Sequence, residues 1–149
     1  MNPLQFGAST VAAAYQNDAA KVGISDADIR RLIPAFYANV RRDPVLGPVF
    51  DGIIGDNWPA HIDTVCSFWL SATRLERRYD GRNFTPAHVK HSAIRADLLP
   101  RWLTIFRRTA IEICTPRQAD ALTGIAERMA GSLAISLRKR DRLACDPTD

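Results

Sequence analysis

The stretch Asn57-Trp58-Pro59-Ala60-His61-Ile62-Asp63-Thr64-Val65-Cys66-Ser67-Phe68-Trp69 sets the terms for the whole chain. Asn57 and Pro59 suit a helix start, since proline in a first turn gives up an amide that has no partner there anyway. Each helical residue turns roughly 100°, so His61, Val65, Phe68 and Ala72 fall within about 40° of one line, with Trp69 to one side. One imidazole therefore shares a helical face with apolar and aromatic groups. The spacing predicts a helix from about residue 57 to residue 76. The chain has three histidines, and the other two, His88 and His91, precede Trp102 in a short segment opened by Thr85-Pro86.

Outward from this stretch the pattern is helical throughout. Ser25-x-x-Asp28 has the form of a capping box. Ile29, Leu32, Ile33, Phe36, Tyr37 and Val40 then recur at three and four, giving one apolar face. Pro34 interrupts that run and removes a backbone donor, which predicts a kink or a restart of the helix. Asp43-Pro44-Val45-Leu46-Gly47-Pro48 reads as a tight corner with Phe50 turned back under it. Residues 77–83 are polar and turn-like. From Asp97 a helix carries Leu98, Trp102, Ile105, Phe106, Thr109 and Ile113 on one broad face. Thr115-Pro116 ends it and starts a last helix, which runs to about Arg142.

The 149 residues contain no repeat and are expected to form one domain. Residues 1–22 read as an N-terminal extension, residues 23–142 as the domain, and residues 143–149 as a flexible tail. The net charge is +4 and the pI about 9.3, but basic and acidic residues are interspersed, which disfavours a nucleic-acid partner. No apolar run approaches the roughly 20 residues of a membrane span, and no secretory leader is apparent, so a cytoplasmic protein is expected. Cys66, Cys114 and Cys145 are odd in number and far apart, against a disulfide framework or structural zinc.

In order, the motifs are Phe36-Tyr37-x-x-Val40, Asp43-Pro44-x-Leu46-Gly47-Pro48-x-Phe50, Trp58-x-x-His61-Ile62, Phe68-Trp69, Tyr79-x-Gly81-Arg82, Ala87-His88 and Arg101-Trp102-Leu103. Together they resemble the group III truncated haemoglobins, over about Ile24 to Leu137. The chain departs from that family's pattern at Phe84-Thr85-Pro86, before His88, and at Leu98-Leu99-Pro100, before Arg101-Trp102.

The resemblance implies an all-α truncated globin fold, a two-over-two helical sandwich around haem b (iron protoporphyrin IX). It implies His88 as the proximal ligand to the metal, 14 residues before Trp102. Tyr37, His61 and Trp102 match the polar distal positions, and Val65 the apolar one. Phe50 matches a ring packed on the porphyrin and Trp69 a bulky residue near its edge; Phe68 is a further candidate contact, and all three also suit a plain core. The implied partners are oxygen, nitric oxide or carbon monoxide. Haem iron leaves one axial site for such a ligand, whose fate is set by distal donors. Two neutral donors, each worth about 1 kcal/mol, would slow oxygen release by roughly tenfold or more. That implies a tight binder rather than a bulk transporter. A nitric oxide dioxygenase-like or peroxidase-like activity would need an electron donor outside the chain. A monomer or weak dimer is expected.

Other readings of the same residues stay open at this level. His91 stands three residues from His88, and a slip of the segment exchanges them. His88 also suits a surface histidine at a helix start, and His61 suits a ligand gate, an iron ligand in its own right or a plain, partly exposed helix residue. Tyr37 and Trp102 also suit a plain core in which their polar tips find partners. The alternative in another class is a cofactor-free helical interaction or regulatory module. A metal site of His61, His88 and His91 without porphyrin is disfavoured, as no carboxylate or cysteine stands at ligand spacing.

Overall fold

The computed structural model describes residues 22–73 and 84–145. Among these the regular elements are helices: α1 (Asp26–Arg42), α2 (Leu46–Ile54), α3 (Trp58–Ala72), α4 (Phe84–Val89), a 3-10 turn (Ala96–Leu98), α5 (Leu99–Ile113) and α6 (Pro116–Cys145). The polar run at 77–83 and nearly all of the N-terminal extension lie outside the described residues. No described helix is long and apolar enough to cross a membrane.

α1 starts where its sequence provides a cap. Ser25 Oγ accepts from the Asp28 amide at 3.2 Å, and Asp28 Oδ2 accepts from the Ser25 amide at 2.9 Å. Two of the amides that a helix start leaves unpaired are thereby satisfied. Asp28 is held below its usual pKa, first by that backbone hydrogen bond. The restart expected at Pro34 does not occur, and α1 is one element through that residue. Pro34 lies on the exposed face while Ile33, Phe36 and Tyr37 are buried, so the bond it forgoes falls where water replaces it.

The expected corner is shorter than its sequence suggests. Asp43 Oδ2 accepts from the amides of Val45 at 3.1 Å and Leu46 at 2.8 Å, and α2 begins at once. Pro48 lies in the first turn of α2, where it is tolerated. Gly47 is required by proximity, since a Cβ there would lie 2.5 Å from the carbonyl oxygen of Arg41. Phe50 therefore sits on a helix, half-buried against the core.

The helices form two layers. α1 packs against α2, α3 and α5, and α5 packs along α6, to which Cys114 and Thr115 join it. Thr115 and Gln118 cap the start of α6 reciprocally, at 3.3 Å and 3.1 Å. Between the layers lie Phe36, Phe106, Leu122, Ile125 and Leu137, each almost wholly buried. A buried side chain of this kind contributes roughly 1.5–3 kcal/mol. Phe106 joins the core to the aromatic cluster, with centroids 5.2 Å from Phe36, 5.2 Å from Trp69 and 5.8 Å from Trp102. The short α4 rests on α6. α6 itself continues past Arg142 to Cys145.

Candidate functional site

A cavity of about 230 Å³ opens between the layers. From α1, α2 and α3 it is lined by Tyr37, Phe50, His61, Val65, Phe68 and Trp69, and from α4 and α5 by His88 and Trp102. Ile94, Leu98, Leu99, Met129 and Leu133 complete an apolar wall. His91 is not among the lining residues. The polar side chains that reach the cavity are Tyr37, His61, Thr64, His88, Arg95 and Trp102. No carboxylate lines it among the described residues.

His61 stands in the first turn of α3, edge-on to Tyr37 with centroids 5.3 Å apart and edge-on to Trp58 at 5.7 Å. Its Nε2 is buried and has no hydrogen-bond partner. Leaving such a group unpaired costs about 1–3 kcal/mol. Burial, and after it the charge of His88, lowers the His61 pKa. A neutral ring with an unmet nitrogen is thus held at the cavity wall.

Tyr37 is buried among Phe36, Phe50, Trp58 and His61. Burial, with a smaller contribution from Cys66, pushes its pKa well above the ordinary phenol value. The hydroxyl keeps its proton and remains a donor. Trp102 is half-buried, edge-on to Phe36 at 5.3 Å and stacked on Phe106. Trp69 is buried and nearly parallel to Phe106, 12° between planes at 5.2 Å.

Two supporting arrangements escape a reading of the sequence. Trp58 Nε1 donates to Asp51 Oδ1 at 2.9 Å, and Arg41 Nε reaches the same oxygen at 3.2 Å while its guanidinium lies 4.6 Å from the Trp58 ring centroid. This ties α1, α2 and α3 together behind His61 and Tyr37. The indole N–H is occupied there, so Trp58 braces the site from outside. Across the cavity, Arg140 of α6 donates to the carbonyls of Val89, His91 and Ile94 at 3.2, 3.0 and 2.8 Å. Neither Asp51 nor Arg140 carries a local sequence signal, because each acts on a partner in another element.

His88 lies within α4, and His91 lies beyond its end. The three histidines form no cluster suited to a metal ion alone; no such group of His, Cys, Asp and Glu occurs among the described residues.

No protein-family model matches the chain. A curated relative, the group 3 truncated hemoglobin ctb of Campylobacter jejuni, is 28% identical over 119 residues, covering 78% of this chain and 93% of the relative. The crystal structure of the group III truncated hemoglobin from Campylobacter jejuni superposes with a TM-score of 0.71, at 24% identity, over 76% of this chain and 91% of that one. The chain has the truncated-globin fold.

The resemblance to truncated globins implies a haem, and the residues present would suit one. The cavity walls are apolar and aromatic, as a porphyrin face requires. Two imidazoles and a phenol line one cavity, and the orphaned His61 Nε2 is a buried polar atom that a ligand would satisfy. Arg95, exposed beside the cavity and paired with Asp97 at 3.0 Å, supplies positive charge for an acidic substituent.

Proposed function

We propose that this chain is a haem protein binding oxygen, nitric oxide or carbon monoxide, with His88 as proximal ligand and Tyr37, Trp102 and His61 as distal donors. Bound haem would be held through the His88 imidazole and would supply an iron that takes up a small diatomic molecule. The rest is done by the side chains. His88 lines the cavity from α4 and His61 from α3, while the ring of Tyr37, whose hydroxyl stays protonated, stands edge-on to His61. Val65, Phe68 and Phe50 keep the surroundings apolar and limit water. The Tyr37 hydroxyl and the Trp102 indole N–H would donate hydrogen bonds to a small ligand that carries partial negative charge.

The observation that carries this reading is the buried, unpartnered Nε2 of His61 in a cavity that His88 also lines. A cofactor-free interaction module has no use for that unpaired atom, which only weakens the fold. The chain has no Cys-x-x-Cys-His motif for c-type attachment, which favours iron protoporphyrin IX held without that thioether link. Turnover of nitric oxide or peroxide at the same site would draw its electrons from a separate reductant.

The absorption spectrum of the purified protein, before and after addition of hemin, tests the proposal. A strong Soret band is expected. A protein that stays colourless and takes up no hemin rules the reading out.

A further inference from the structure

α4 has six residues, too few to persist without support. Three residues apart, His88 and His91 would share a face if the helix continued, and either imidazole could then enter the cavity. The backbone instead tightens after Val89. The His91 amide donates to the His88 carbonyl at 3.2 Å, and the Ile94 amide to the His91 carbonyl at 3.0 Å. His88 lines the cavity and His91 does not.

The carbonyls exposed by this turn converge on one side chain. Arg140 takes those of Val89 and His91 through Nη1 and that of Ile94 through Nη2, and Asp141 accepts from its Nε at 2.8 Å. With 17% of its side chain exposed, the guanidinium is mostly withdrawn from water, where charge-assisted hydrogen bonds are stronger. Its planar fork suits three divergent acceptors, and a lysine cannot reproduce it.

We propose that Arg140 is the positioning residue that selects the axial histidine, holding the segment after α4 so that His88 enters the cavity and His91 stays out. This rests on the haem reading of the cavity. Arg140 touches neither the cofactor nor the ligand in this scheme; it acts through the backbone of residues 89–94.

The test uses the full chain with Arg140→Met and Arg140→Lys. Two readouts are taken: amide hydrogen exchange of residues 89–94 in haem-free protein, and the iron–histidine stretching band of the ferrous haem-loaded protein. Arg140→Met is expected to speed exchange in that segment by about tenfold or more, as loss of charge-assisted bonds implies. It should also shift, broaden or split the band as His91 competes. Arg140→Lys is expected to fall between Arg140→Met and the wild type, and it carries the test should the methionine variant not fold. Unchanged exchange, or faster exchange with an unchanged band, overturns the proposal, since Arg140 then serves the fold alone. Wild-type protein that takes up no hemin fails the cavity reading itself, and a wild-type band with no response to Arg140 fails only this inference.

Discussion

Asp43 Oδ2 accepts from Arg101 Nε at 2.7 Å while it caps the start of α2 through the Leu46 amide at 2.8 Å. One carboxylate oxygen thereby fixes the helix carrying Phe50 against the helix carrying Trp102. The Arg101 guanidinium, with the capping amides behind it, holds the Asp43 pKa at about 2, below the ordinary 3.8. A carboxyl depressed on folding stabilises the native state above its unfolded pKa, and that stabilisation fades as pH falls toward the folded value. Wild-type stability should therefore decline between pH 4 and pH 2 more steeply than that of Asp43→Asn, which has no charge to lose. Thermal unfolding across that range checks this, and parallel profiles would count against the pair.

His61→Leu separates stability from function. Removing the unpartnered Nε2 should stabilise the haem-free protein by about 1 kcal/mol or more, because a buried polar group without a partner is replaced by an apolar one. The same change should speed oxygen release from the loaded protein. Chemical denaturation and stopped-flow kinetics measure the two effects. A destabilised haem-free protein would mean that the imidazole is satisfied in solution.

Tyr37→Phe removes one donor and leaves the ring among Phe36, Phe50 and Trp58. The oxygen dissociation rate is expected to rise about fivefold, the equivalent of one hydrogen bond of about 1 kcal/mol. An unaltered rate would take Tyr37 out of the ligand's surroundings.

Trp58→Phe keeps most of the ring and drops the bond to Asp51. Because Asp51 is half exposed, with 48% of its side chain open to solvent, the expected cost is modest, about 1 kcal/mol in urea unfolding. A change in ligand kinetics should accompany it, as the brace behind His61 and Tyr37 loosens. Stability loss with unaltered kinetics would confine Trp58 to the fold.

The parts of this architecture that repeat locally are legible in the sequence. The face of α1, the cap at Ser25, the His61 face of α3 and the stop at Thr115-Pro116 all follow from spacing along one helix. α2 is less so, since Gly47 and Pro48 signal a turn although the helix tolerates both, Pro48 in its first turn and Gly47 where Arg41 approaches closely. Spacing alone leaves His88 and His91 equivalent. What separates them is a turn held by Arg140, some fifty positions away and on another helix, where sequence shows only one more surface arginine. Asp51 and Trp58 likewise gain their meaning from a contact between elements.

The central claim is that His88 enters this cavity to serve as the axial ligand. The iron–histidine stretching band of the ferrous protein, compared between wild type and His88→Gly, addresses it most directly. The band should be present in the wild type, absent in His88→Gly, and restored there by added imidazole. A band that persists unchanged in His88→Gly, with no imidazole present, would contradict the account and transfer the role to another histidine.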